Sequence, residues 1–181
     1  MESRHLAAVG AGGRKLTAIA IASVSSPKPG YSGVSVSAWQ IFDSETGEAE
    51  EHRLIASRGA NRHQWYALIM AVRGVVESCR PGDEVTVEIS MFDLASAFQA
   101  RGRNSSGRYV KDGAEIAEVI TFASEQGVVL IVNHAPVGSR QKALKKEALK
   151  LSRERLAGLS EDQRASALPP PAKRKFDDSD Y

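Results

Sequence analysis

Residues 16–56 read LTAIAIASV-SSPKPGYSG-VSVSAWQIF-DSETG-EAEEHRLIA, and the succession of patterns in this stretch decides the fold class. Leu16–Val24 is short, apolar and bounded by turn residues, as a strand is. Ser25–Gly33 contains Pro27, Pro29, Gly30 and Gly33 and reads as a turn. Val34–Phe42 opens with apolar and polar residues in alternation, the period of a half-buried strand. Asp43–Gly47 is a hairpin turn, and Glu48–Ala56 returns as a third strand. Three strands joined by short turns predict an antiparallel meander.

Beyond it the period changes. Asn61 is placed to cap a helix running to Ser78. Trp65, Leu68, Ile69, Val72, Val75 and Val76 recur at spacings of three and four and form one apolar stripe. Arg80–Asp83 (RPGD) ends that helix, and Glu84–Ile89 (EVTVEI) is a fourth strand. Leu94–Gln99 is a short helix. Arg101–Lys111 is a polar loop with four cations and no acid. Gly113–Gln126 is a helix, Gly127–Asn133 (GVVLIVN) a buried fifth strand, and Arg140–Leu156 a long Lys-rich helix. The order is βββαβαβα with an extra helix before strand five. Strands alternating with helices imply parallel neighbours, so the expected class is α/β, a five-stranded mixed sheet with flanking helices.

Three segments are expected: a flexible Gly- and Ala-rich stretch over 1–14, a folded domain over 15–157, and a Pro-rich, charged tail over 158–181. The chain of 181 residues is 42% apolar and 25% charged, enough to bury a core. Its net charge of +2 argues against a polycation but leaves room for a local basic surface. A single cysteine, Cys79, excludes an internal disulfide and a multi-cysteine zinc site, and fits a reducing compartment. No apolar run reaches membrane-spanning length. An intracellular protein is expected, cytoplasmic by default. Lys173, Arg174 and Lys175, after three prolines, are a candidate nuclear import signal or a solubilising tail.

The order of elements, together with several local strings, resembles the ribonuclease H family over Lys15–Lys150. Tyr31-Ser-Gly33 before an alternating strand resembles its glycine-rich link. Asn61-Arg-His-Gln64 resembles the start of its first helix. Val85–Ser90 followed by Leu94–Phe98 resembles its strand that ends in Asp-Ser before a helix. Arg101-Gly-Arg103 through Lys111-Asp112 resembles its basic protrusion, and Val132-Asn-His-Ala135 its V-x-G-H-A-G loop. The resemblance implies a ribonuclease H-like fold. It also implies cleavage of RNA in RNA–DNA hybrids by two divalent metals held by four carboxylates.

Two adjacent Mg²⁺ ions need negatively charged oxygen ligands to offset their repulsion. The matching positions here are Ala22 (or Ser23), Gln64, Ser90 and Leu144. None is acidic. No Asp or Glu lies between Glu2 and Asp43, nor between Glu51 and Glu77, so no shift of alignment supplies the first two. Nearby carboxylates Glu88, Asp93 and Glu147, with His134 at the family's mobile histidine, form the fallback set for a rearranged Mg²⁺-dependent site. The expected protein is therefore a catalytically inactive ribonuclease H-like binder of RNA, RNA–DNA hybrid or another duplex, with no metal or other cofactor. Arg101, Arg103, Arg108, Tyr109, Lys111 and His134 are its candidate contacts with nucleic acid, since cations on an adaptable loop reach phosphates and an aromatic can stack. The alternatives are a divergent metal-dependent ribonuclease H, and a protein–protein scaffold that docks through the C-terminal tail.

The remaining motifs carry little. Gly10–Lys15 does not fit the P-loop spacing and precedes a strand. The four histidines form no i, i+4 pair, and no G-x-S-x-G is present.

Overall fold

A computed structural model of the chain describes residues 12–25, 33–59, 64–160 and 162. Its elements are β1 (Lys15–Ser25), β2 (Gly33–Asp43), β3 (Ala49–Gly59), α1 (Gln64–Ser78), β4 (Glu84–Ile89), α2 (Phe92–Gln99), α3 (Gly113–Glu125), β5 (Val129–His134) and α4 (Ser139–Ala157). The strands form one sheet in the order β3-β2-β1-β4-β5. β2 runs antiparallel to both β1 and β3, whereas β4 runs parallel to β1 and to β5. The meander and the later alternation are both present, and α2 with α3 accounts for the extra helix. The Asn61 cap, the link around Tyr31 and the basic run Lys173–Lys175 fall outside the described residues. No helix among the described residues is long and apolar enough to cross a membrane.

Side-chain alternation splits β1 between two cores. Leu16, Ala18, Ala20 and Ala22 pack with Val85, Val87 and Ile89 of β4 against α1, α2 and α3. Ile19 and Ile21 pack on the other side with Val36, Ala38 and Phe42 of β2 against Leu144 and Ala148 of α4. Alanines on the first face let α1 approach the sheet closely. A second fit lies one strand over: the Trp39 ring fills the space above Gly74 of α1, where an added Cβ would lie 2.4 Å from the ring carbon Cη2. The Trp39 indole N–H donates to Ser78 Oγ at 3.4 Å.

The N-terminal end of β1 is clasped to the β4 side. Asp83, whose side chain is 3% exposed, receives the Arg14 N–H at 3.1 Å, Arg14 Nε–H at 3.2 Å and the Arg80 N–H at 2.8 Å. Burial alone would raise the Asp83 pKa. The Arg14 side chain, the two backbone donors and the guanidinium charge outweigh it and hold the carboxyl below its usual value. Arg14 also pairs with Glu50. Nearby, burial and then the Asp83 charge push the Cys79 thiol up to about 12, so it stays a neutral thiol.

Strand five differs from expectation. An unbroken apolar run reads as a strand covered on both faces. Instead β5 lies at the edge of the sheet, and Val129 and Ile131 are 53% and 38% exposed. The reason is the placement of α4, which lies over β1 and β2 with a lighter contact on β3. One face of β4–β5 is consequently left open, and the site is built beside it.

Candidate functional site

β1 and β4 run parallel, so their carboxyl ends lie at one end of the sheet, where α/β proteins commonly place ligands. Glu88 is paired with Ile19 on one side and with Asn133 on the other. Alternation puts Val87 and Ile89 in the core under α1, so Glu88 faces the side that carries α4. There Glu88, Thr17, Ile19 and Phe42 floor an open groove of about 260 Å³, and the start of α4 forms its wall. Gln141 within that wall is buried and accepts the Gly138 N–H at 3.3 Å. The Arg140 guanidinium stacks over the Phe42 ring at 4.2 Å.

The positions matched to the four carboxylates distribute as follows. Ala22 faces α1 and is buried in that core, on the opposite face of the sheet from Glu88. The β1–β4 register, carried two residues past its last pair, sets Ile21 against Ser90. Ile21 is 7% exposed and apolar. Ser23 shares Ile21's face but packs against α4, within 3.5 Å of Ser152 Oγ. Gln64, exposed, opens α1. Leu144 is fully buried on the face of α4 that packs on the sheet. The side chains at the matched positions, Ala22 or Ser23, Gln64, Ser90 and Leu144, carry no charge and cannot offset two dications. The residues present do not fit a two-metal centre.

Nor are the fallback acids gathered. Glu147 lies six residues beyond Gln141, about 9 Å along the helix axis. It accepts His52 Nε2–H at 2.9 Å, and Gln40 Nε2–H donates to His52 Nδ1, so Glu147 belongs to a surface network over β2 and β3. Asp93 is exposed in the first turn of α2. Among the described residues no three of His, Cys, Asp and Glu are arranged to hold a metal ion.

The basic loop is ordered. Arg103 and Tyr109 form an isolated antiparallel bridge. The Arg103 guanidinium lies 4.1 Å from the Tyr109 ring centroid, with Nη1–H donating to Gly107 O at 2.6 Å and Nη2–H to Tyr109 Oη at 3.0 Å. Asn104 Oδ1 accepts the N–H groups of Ser106 and Arg108, each at 3.0 Å. At the base of the loop Gly102 and Gly113 press backbone against backbone. A Cβ on Gly113 would fall 2.1 Å from Gly102 O, and one on Gly102 as close to Gly113 O. Arg101, Arg103, Arg108 and Lys111 are all exposed. Through its contacts with Gly107 and Tyr109, Arg103 also shapes the loop, a division of labour that the sequence does not display.

α2 links this loop to the groove. Phe92, its first residue, is 65% exposed and meets His134, at the end of β5, edge to face at 5.6 Å. At the far end of α2, Gln99 donates to Val132 O at 3.5 Å, and Arg101 lies with Ile131 and Asn133 along the outer edge of β5. His134 and Arg101 therefore flank one strand edge, His134 at its end and Arg101 farther back. Phe92 is an exposed aromatic beside this edge that sequence reading passes over. A helix begun at Leu94 leaves it outside any element, and a single Phe has no period to betray it.

No family model and no curated protein matches the sequence. Solved structures do match. The N-terminal RNase H domain of rv2228c from Mycobacterium tuberculosis aligns with a TM-score of 0.55 at 12% identity, over 80% of this chain and 99% of that one. LC11-RNase H1, in complex with an RNA/DNA hybrid, aligns with a TM-score of 0.53 at 19% identity, over 76% of this chain and 99% of that one. The foamy viral protease–reverse transcriptase, also with an RNA/DNA hybrid, gives 0.50 at 15% identity over 78% of this chain and 20% of that one. The strand order, the parallel β1–β4–β5 half and these alignments agree that the chain has a ribonuclease H-like fold.

Proposed function

We propose that this protein binds nucleic acid through the phosphate backbone and does not hydrolyse it by two-metal catalysis. The observation that carries the reading is the loop Arg101–Lys111: acid-free, held by its own bridge and hydrogen bonds, and with all four of its cations exposed. Cations held at fixed separation on a rigid base attract a polyanion without regard to sequence. Two of the similar structures were solved with an RNA/DNA hybrid, which supports hybrid or other duplex as the ligand class. The groove supports the second half of the reading. Its floor contributes one carboxylate, Glu88, where a pair of dications needs several.

The test uses a labelled RNA–DNA hybrid and the full chain. Fluorescence anisotropy in low salt reads binding, and gel analysis with Mg²⁺ or Mn²⁺ reads cleavage. Binding without cleavage is expected. Cleavage abolished by Glu88→Gln would establish a rearranged nuclease site instead, and absence of binding would refute the loop's role.

A further inference from the structure

We infer that Phe92, backed by His134, is a stacking platform for one unpaired nucleobase, with Arg101 farther along the same strand edge receiving the backbone. The inference deepens the nucleic-acid reading and rests on it. Phe92 is the most exposed of the large apolar side chains among the described residues. A phenylalanine at 65% exposure loses hydrophobic free energy unless something covers it. Its ring carries no donor or acceptor, so it cannot read the edge of a paired base. It can cover the face of an unstacked one. His134 meets the ring at 80°, and most of the Phe92 side chain remains exposed beside that contact. His134 itself is exposed and continues the aromatic surface.

What selects a nucleobase over another apolar partner is the neighbourhood. α2 carries the chain from Phe92 to Gln99, about 10 Å at helical rise, and delivers Arg101 to the β5 edge beside Asn133. An aromatic face and a guanidinium along one open strand edge match the alternating base and phosphate of a single strand. Asn133 and Gln99, between them, offer polar groups. A blunt duplex keeps its bases stacked inward, so it engages the cations and gains little from Phe92.

Two ligands separate the possibilities: a labelled single-stranded RNA of about 12 nucleotides, and a blunt hybrid of the same length. Phe92→Ala is expected to weaken single-strand binding about 5- to 150-fold, the range for one base–aromatic stack. Hybrid binding and the salt slope should stay unchanged, because no charge is removed. Phe92→Trp should retain single-strand affinity. Phe92 is largely exposed, so its removal should leave the thermal midpoint in place, and that control is read in the same samples. If Phe92→Ala leaves single-strand affinity unchanged while Arg101→Gln/Arg108→Gln lowers it, the platform is wrong and the loop reading survives. If the wild type binds neither ligand in low salt, both fall.

Discussion

The salt dependence of binding can be worked out from the loop. All four of its cations are exposed, and the Arg103 guanidinium is engaged within the loop by Gly107 O and Tyr109, which leaves Arg101, Arg108 and Lys111 as the side chains assigned to phosphates. Three phosphate contacts on a duplex predict a slope of log K against log salt of about −2.7, at roughly −0.9 per contact. Between about 50 and 200 mM salt the association constant should then fall about 40-fold. Arg101→Gln together with Arg108→Gln should flatten the slope to about −0.9, and the same change in salt would cost only about 3.5-fold. Arg103→Gln should behave differently. It removes the stack that shapes the loop, so affinity drops more than one lost charge accounts for. The assay is anisotropy of a labelled hybrid across a salt series, with no divalent metal. A wild-type slope near zero, or a double variant with the wild-type slope, would refute the assignment of these side chains to phosphates.

Three further outcomes follow from packing and charge. Gly113→Ala places a methyl 2.1 Å from Gly102 O. It should open the base of the loop, costing about 1–3 kcal/mol of stability and weakening hybrid binding, as read by thermal unfolding and anisotropy together. Gly74→Ala drives a Cβ into the Trp39 ring. It should destabilise the fold despite alanine's better helix propensity, lowering the midpoint by about 2–4 °C per kcal/mol lost, with Trp fluorescence as the readout. Arg14→Leu leaves the buried Asp83 carboxylate with its two backbone donors and no guanidinium. The expected loss at neutral pH is about 3 kcal/mol, the lower end for a broken buried pair. Asp83 has a depressed folded pKa, so its contribution is present above the unfolded carboxylate value and lost as pH falls through the folded one. The stability gap between wild type and Arg14→Leu should therefore narrow in acid. A gap that stays constant from neutral pH down to about pH 3 would contradict the clasp.

The course of the chain was legible because its elements are local. β4 spans Glu84–Ile89 as its alternation requires, and α1 ends at Ser78, just before RPGD. The apolar stripe of α1 became core, with Leu68, Ile69, Val72, Val75 and Val76 buried. The missing acids were legible too, since an absence across residues 3–42 and 52–76 survives any alignment. Relations between distant segments were not legible. Ala22 and Ile21 are neighbours in the chain but lie on opposite faces of the sheet, one in the core under α1 and the other in the core under α4. Glu147 stands one helical turn past Leu144, yet His52, 95 residues earlier, draws it toward β3.

Taken alone, the sequence determined the class of sheet, the order of its elements and the absence of acids over residues 3–42 and 52–76, because strand and helix periods and the identity of acids are properties of consecutive residues. The tertiary structure alone decided that β5 is a half-bare edge, that Arg103 stacks on Tyr109 and shapes the loop, and that Phe92 stands beside His134. Each of these depends on which segments pack together and which surface is left uncovered, and burial is a property of the assembled sheet and helices rather than of any stretch within them.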